Sequence, residues 1–285
     1  MALGGCGPTG SVPSSSSGAP IPVLGAENFY ADLLAQIGGS RVAASSILSD
    51  PSADPHAYEA SPAAAKLVAD AKVVIVNGIG YDDFMDKLLG ASTKPDRIVI
   101  RVQDVLGAKD DVNVHVWYDP TTMPKVADAV ATALAEIDPQ SAAYFSEQKA
   151  KYLAALKPVN DRIASLKAKY AGAPIAFTEN VAGYLTDAIG LRVLTPPAFM
   201  EAIESGTDPA PADVAAERDL LTGRMVKALL YNSQVTSPLT EQIRDLATKN
   251  SVPVVAVAET IPPNYKTFQE WQLAQLDELE RALAK

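Results

Sequence analysis

From Ile21 onward, short β-rich runs alternate with stretches in which apolar positions recur every three or four residues. The runs IPVLG (21–25), RVAASSI (41–47), AKVVIVNG (71–78) and RIVIRV (97–102) end in or before turn-forming residues. The last two are the pattern of strands buried on both faces. A helical pattern follows the first run and stops at Gly38-Gly39, and another fills 121–137 ahead of Pro139. Strand alternating with helix predicts a parallel sheet flanked by helices.

Residues 141–170 break this rhythm. Phe145, Tyr152, Leu156, Val159, Ile163, Leu166 and Tyr170 recur at helical steps with polar residues between them. About 30 residues at a rise of 1.5 Å span roughly 45 Å, longer than one lobe is wide. Pro158 inside this stretch should kink the helix without ending it. The pattern predicts a stiff strut between two lobes.

The alternation then resumes with PIAFTE (174–179), LRVLTP (191–196), KALLYN (227–232) and VPVVAVAE (252–259). Helical patterns run to Gly190, over 211–223 and 238–249, and from about 267. The stretch after TPP, with Glu201, Glu204 and Asp208, reads as a mobile loop. The expected fold is α/β, with two lobes, each a mostly parallel sheet flanked by helices, joined by one long rigid helix. Its parts are a flexible tether (1–20), an N-terminal lobe (21–140), the linking helix (141–171) and a C-terminal lobe (172–285).

Composition narrows the function. The 285 residues are 48% hydrophobic and 6% aromatic, ample for a core, and carry 34 acidic against 24 basic side chains for a net charge of −10. An acidic surface repels nucleic acid and anionic lipid and favours cations. No run approaches the roughly 20 apolar residues of a membrane span. The single cysteine, Cys6, excludes an internal disulfide framework and a thiolate-rich metal cluster. It closes the box LGGC (3–6) and precedes the Gly/Ser/Pro-rich GPTGSVPSSSSGAP, the look of a bacterial lipoprotein signal whose cysteine becomes the lipidated N-terminus. Only Met1 and Ala2 precede that box.

The chain has two histidines, His56 in DPHAYE (54–59) and His115 in VHVWYDP (114–120). A lone loop histidine is more often a surface or capping residue than a ligand. These two, however, follow the second and fourth predicted strands, while Glu179 ends PIAFTE and Glu259 ends VPVVAVAE. Ligands of open α/β sheets bind beyond the carboxyl ends of the strands. Two imidazoles from one lobe and two carboxylates from the other would make an N₂O₂ site for one divalent first-row metal ion. Asp54 and Asp119 are candidate acceptors for orienting the rings. Tyr58 and Trp117, each two residues past a histidine, read either as core aromatics or as the lining of the pocket. The acidic AKDD (108–111) reads as a solvated loop.

DPHAYE, VHVWYDP and the strand-ending FTEN resemble the metal-binding proteins of zinc/manganese ABC importers, the cluster with a rigid helical backbone. NGIGYDDFMDKLL (77–89) resembles the stretch after their third strand. The resemblance runs over 21–285 and implies that His56, His115 and Glu179 are the first three ligands. It departs at the fourth, where the family usually has an aspartate in a Thr-Asp-Ser-like segment and this chain reads AVAETIPPNY. Among Glu201, Glu204, Asp208, Asp213, Asp219 and Glu259, the strand-end Glu259 is the expected ligand, with Asp208 or water as alternatives. Asp213 and Asp219 share a helix with Glu217 and Arg218 that reads as a solvated face.

The resemblance implies a monomeric extracytoplasmic lipoprotein that captures Mn²⁺ or Zn²⁺ and delivers it to a membrane permease and its ATPase. It would catalyse nothing and bind no nucleic acid. Zinc specialists of that family often carry a His-rich loop between the first two ligands and a third histidine as ligand, so by the resemblance the absence of histidine between 57 and 114 and a carboxylate at 179 lean toward manganese. One rival is a metallohydrolase in which Glu179 or Glu259 is a general base beside an open coordination position. Another is an iron-chelate binding protein of the same helical-backbone class, although no arginine cluster flanks these loops.

Overall fold

In the computed structural model, residues 19–51 and 58–285 are described. His56, Asp54 and Cys6, together with most of the expected tether, lie outside the described residues.

The N-terminal lobe is a four-stranded parallel sheet of β1 (Ile21–Glu27), β2 (Val42–Leu48), β3 (Val73–Val76) and β4 (Ile98–Arg101), in the order β2-β1-β3-β4. The C-terminal lobe repeats that order as β6-β5-β7-β8, from β5 (Pro174–Phe177), β6 (Arg192–Val193), β7 (Leu229–Asn232) and β8 (Val254–Val257). Each first strand is therefore internal, with the two strands that follow it in the chain on either side. The chain direction across the sheet reverses there, which opens a crevice at the carboxyl ends.

Successive strand residues point to opposite faces, and the two faces fill two different cores. Val23, Val73 and Ile75 enter the core shared with α1 (Asn28–Gly38) and α5 (Thr122–Ile137). Leu24, Ala26, Val74 and Val76 enter a smaller one with residues of α2 (Pro62–Asp70) and α3 (Phe84–Ala91). In the second lobe, Ile175, Phe177, Leu230, Val255 and Val257 face that same shared core. Ala176 and Leu229 face a third, under α8 (Pro197–Glu204), α9 (Pro211–Thr222) and α10 (Pro238–Lys249). Gly25 is needed on β1 because a Cβ there would come within 2.4 Å of the Ala31 backbone nitrogen, so α1 could not turn back so tightly.

The strut is α6 (Ala142–Tyr170), 29 residues that continue through Pro158, with Phe145, Tyr152, Leu156, Val159, Ile163 and Leu166 buried as the periodicity requires. It packs on α1 and α5 of one lobe and on α7 (Gly183–Ile189) and α11 (Phe268–Leu283) of the other. A second connection was not legible in the sequence. The segment leading into α11 returns to the first lobe: the Asn28 side chain pairs with both backbone groups of Ile261 (2.9 and 2.8 Å), and Asp32 accepts from the Phe268 N–H at 2.9 Å. Phe29 stacks on Trp117 at 4.6 Å, and Tyr118 meets Trp271 edge-on at 5.7 Å. One apolar core thus runs through both lobes.

Two readings are corrected. The stretch after TPP is not a loop, because Pro197 starts α8, whose Phe199, Met200 and Ile203 are buried; only Ser205–Ala210 is irregular. Glu217 is not on a solvated face: with Leu220 and Leu221, at helical spacing, it forms the buried side of α9. Helices α2, α3 and α4 (Val102–Leu106) continue the alternation of strand with helix in segments to which the sequence reading gave no helix bounds. Among the described residues, no helix is long and apolar enough to cross a membrane.

Candidate metal centre

Three of the four expected ligands are described, and they converge. Glu179 stands two residues beyond β5 and Glu259 two beyond β8. His115 comes from the loop after α4, just ahead of the short 3-10 turn Val116–Tyr118. All three are fully buried. Nε2 of His115 lies 3.3 Å from Glu259 Oε2 and 3.8 Å from Glu179 Oε1, and one ligand atom from each residue falls within 4.8 Å of the others. A tetrahedral Zn²⁺ with bonds of about 2.0–2.1 Å sets its ligand atoms roughly 3.3–3.4 Å apart. The donors stand close to that spacing, and their chemistry, one imidazole nitrogen and two carboxylates, suits a divalent first-row ion.

The imidazole is oriented by Asn113, whose Oδ1 accepts from the His115 backbone N–H at 3.0 Å and lies 2.8 Å from Nδ1. A proton on Nδ1 donated to that oxygen leaves the Nε2 lone pair turned to the carboxylates. Asn113 also ties the lobes together, since its Nδ2 donates to the Asn180 carbonyl at 2.7 Å. Gly183 makes room for both amides, because a Cβ there would stand 2.2 Å from Asn180 Oδ1 and 3.0 Å from Asn113 Nδ2. Asp119 does not orient the ring: its Oδ1 accepts from the Thr121 N–H at 2.8 Å, ahead of α5. The other expected acceptor, Asp54, falls outside the described residues, as does His56.

Two further groups hold the carboxylates. Asn232, the last residue of β7, donates from Nδ2 to Glu179 Oε2 and to Glu259 Oε1, both at 2.7 Å. Its own Oδ1 accepts from the Gln234 N–H at 3.0 Å, and Gln234 Oε1 accepts from the Glu259 N–H at 2.6 Å. Tyr81 crosses from the first lobe and donates to Glu259 Oε2 at 3.0 Å; burial first, then the Glu259 charge, pushes its phenol well above the usual range. Trp117 is both core and wall, stacked on Phe29 and edge-on to the His115 ring at 5.3 Å. Tyr58 packs on Phe84 at 4.6 Å, beside the smaller core of the first lobe.

Glu27 ends β1 as a further buried carboxyl. Neither oxygen has a hydrogen-bond partner among the described residues; burial, then Asp82, raises its pKa well above the ordinary carboxylate value. Asn232 and Glu27 were accessible by the strand-end rule that found Glu179 and Glu259, since each closes an apolar run. Asn113 and Tyr81 carry no such signal. Of the weighed alternatives, Glu201, Asp208 and Asp219 are exposed, and Glu204 and Asp213 are half-buried. The described cluster contains none of them.

A family model described as ZnuA, zinc-uptake complex component A, periplasmic, matches residues 23–282. The manganese-binding lipoprotein MntA of Halalkalibacterium halodurans is 25% identical over 186 residues, 62% of this chain and 60% of that protein. The metal ABC transporter substrate-binding lipoprotein SloC of Streptococcus mutans is 24% identical over 279 residues, 90% of this chain and 89% of that protein. Among solved structures, the periplasmic zinc-binding protein TroA of Treponema pallidum superposes with a TM-score of 0.77 at 18% identity, covering 94% of this chain and all of TroA. Nickel-bound FpvC of Pseudomonas aeruginosa gives 0.75 at 22% identity, covering 93% and 97%. At these identities the structures establish a shared fold. The strut helix and paired parallel sheets are common ground, and with the family match spanning residues 23–282 this chain belongs to the ZnuA family of periplasmic zinc-uptake components.

Proposed function

We propose that the protein is the extracytoplasmic binding component of an ABC importer, capturing one Mn²⁺ or Zn²⁺ ion between its lobes and delivering it to a membrane permease driven by its ATPase. Family membership makes it a substrate-binding protein and not an enzyme. The observation that carries the metal reading is the burial of His115, Glu179 and Glu259 around one point. Two carboxylates drawn together out of water repel each other, and a divalent cation between them removes that repulsion.

The proposed ligands are His56, His115, Glu179 and Glu259. The lobes 21–140 and 172–285 would grip the ion from either side of the linking helix 141–171. Lipidation of Cys6 would hold the monomer at the outer face of the plasma membrane, with 1–20 as tether. The named relatives, a manganese-binding lipoprotein and a metal ABC transporter lipoprotein, support this setting. Complete burial of the three donors argues against the iron-chelate reading, which needs an open cleft for a large ligand.

Native mass spectrometry of protein purified without chelator or added metal tests the proposal. One divalent ion per chain is expected, and it should be absent from His115→Ala. Metal-free wild type that takes up neither Zn²⁺ nor Mn²⁺ on titration would refute it.

A further inference from the structure

The two glutamates of the site share one amide group. Each carboxylate has one oxygen turned to His115 and one held by Asn232: Glu179 offers Oε1 and gives Oε2 to the amide, while Glu259 offers Oε2 and gives Oε1. Both amide protons of Asn232 are therefore engaged, one on each carboxylate. The orientation of the amide is not interchangeable, because Oδ1 is fixed from the other side by the Gln234 N–H at 3.0 Å. Its backbone is fixed too, since Asn232 ends a strand paired with β8 and its N–H donates to Thr178 Oγ1 at 3.0 Å.

We propose that Asn232 sets the coordination number, and through it the metal preference, of the site. The inference rests on the metal-binding reading given above. A cation next to His115 Nε2 meets one oxygen of each carboxylate. To bring up the second oxygen, either carboxylate must rotate about its terminal torsion and abandon a buried charge-assisted hydrogen bond. Abandoning it leaves an amide proton buried without a partner. Both glutamates are thus confined to one-oxygen ligation. Three protein donors and one further ligand then make a four-coordinate set, the arrangement structural Zn²⁺ sites adopt. Mn²⁺ is suited by oxygen-rich octahedral sites, so it loses the extra oxygens that two-oxygen carboxylates would supply. This works against the manganese preference that the sequence suggests, and it does so through a residue that need not touch the metal.

The test is Zn²⁺ X-ray absorption on wild type and Asn232→Leu, which keeps the side-chain volume and removes the donor without adding charge. It is paired with competition titrations of Zn²⁺ against Mn²⁺. Wild type should show four nitrogen or oxygen scatterers and a large preference for Zn²⁺. The variant should show five or six, with Zn²⁺ affinity lower by about 10–100-fold and the Zn²⁺/Mn²⁺ affinity ratio reduced at least tenfold. Asn232→Ala serves as the second variant should leucine prevent folding, with circular dichroism as the control. Variants that fold, bind Zn²⁺ with four scatterers and keep the wild-type ratio would overturn the role of Asn232 and leave metal capture standing. Wild type that binds no metal would overturn both.

Discussion

Nε2 of His115 lies 3.3 Å from Oε2 of Glu259, although the two residues are 144 positions apart and the whole of α6 separates them in the chain. The pairing spans the two lobes, so anything that weakens it acts on both metal capture and the apposition of the lobes. In a metal-free protein the carboxylate charges at this point are a cost, and in a loaded one they are the binding energy.

Replacing Glu259 by Gln separates those roles. The variant keeps the size of the side chain and removes a charge from a fully buried acidic cluster. Metal affinity should fall by well over tenfold, while the melting temperature of the apo protein stays equal or rises. The rise in melting temperature caused by saturating Zn²⁺ in wild type should shrink accordingly. Thermal scans with and without metal check this; an apo protein several degrees less stable would mean that Glu259 is structural.

Asn113 and Asp119 make a contrasting pair. Asn113→Ala removes the acceptor at His115 Nδ1 and should weaken metal binding by about 10–100-fold. Asp119→Ala removes only the acceptor for the Thr121 N–H at the approach to α5, which should cost about 1 kcal/mol of stability with unchanged affinity. Metal titration of both variants decides whether the ring is oriented by the amide or by the aspartate.

This pair also marks what could be read from the sequence. The two-lobed α/β fold, the strut and the placement of Glu179 and Glu259 followed from periodicity and from polar residues closing apolar runs. Asn113 did not, because an amide two residues before a histidine in an irregular loop has no pattern of its own. The burial of Glu217 was missed for a related reason: with Arg218 and Asp219 beside it, local composition outweighed the spacing to Leu220 and Leu221. The return of α11 to the first lobe depends on single side chains such as Asn28 and Asp32, whose partners lie more than 230 residues away.

Glu217 gives a pH prediction remote from the metal. Burial raises its pKa from the ordinary 4.5 to about 7, with the Thr195 hydroxyl acting in the opposite direction. Between those values the folded protein holds a proton that the unfolded chain has released. Stability therefore falls as pH rises from about 4.5 to 7 and levels off above. The full shift corresponds to an upper bound of roughly 3 kcal/mol. Glu217→Gln should match wild type near pH 4.5 and exceed it by about 1–3 kcal/mol at pH 8, with metal affinity unchanged. Denaturant unfolding at the two pH values tests the sign; a variant less stable at pH 8 contradicts it.

The shared core resists large closure. Trp271 is almost fully buried and contacts Phe29 and Tyr118 of the first lobe as well as Phe268. Apo and metal-loaded scattering profiles of wild type should nearly superimpose. Trp271→Ala should cost about 3–5 kcal/mol and loosen the lobes. A change of several per cent in the wild-type radius of gyration on loading would count against a rigid connection.

The most direct measurement is anomalous diffraction from crystals grown with Zn²⁺ or Mn²⁺. The account predicts one anomalous peak per chain, about 2.0–2.2 Å from His115 Nε2, Glu179 Oε1 and Glu259 Oε2, with Asn232 still bridging the two outer oxygens. A peak bound elsewhere, with these three side chains unliganded, would contradict it.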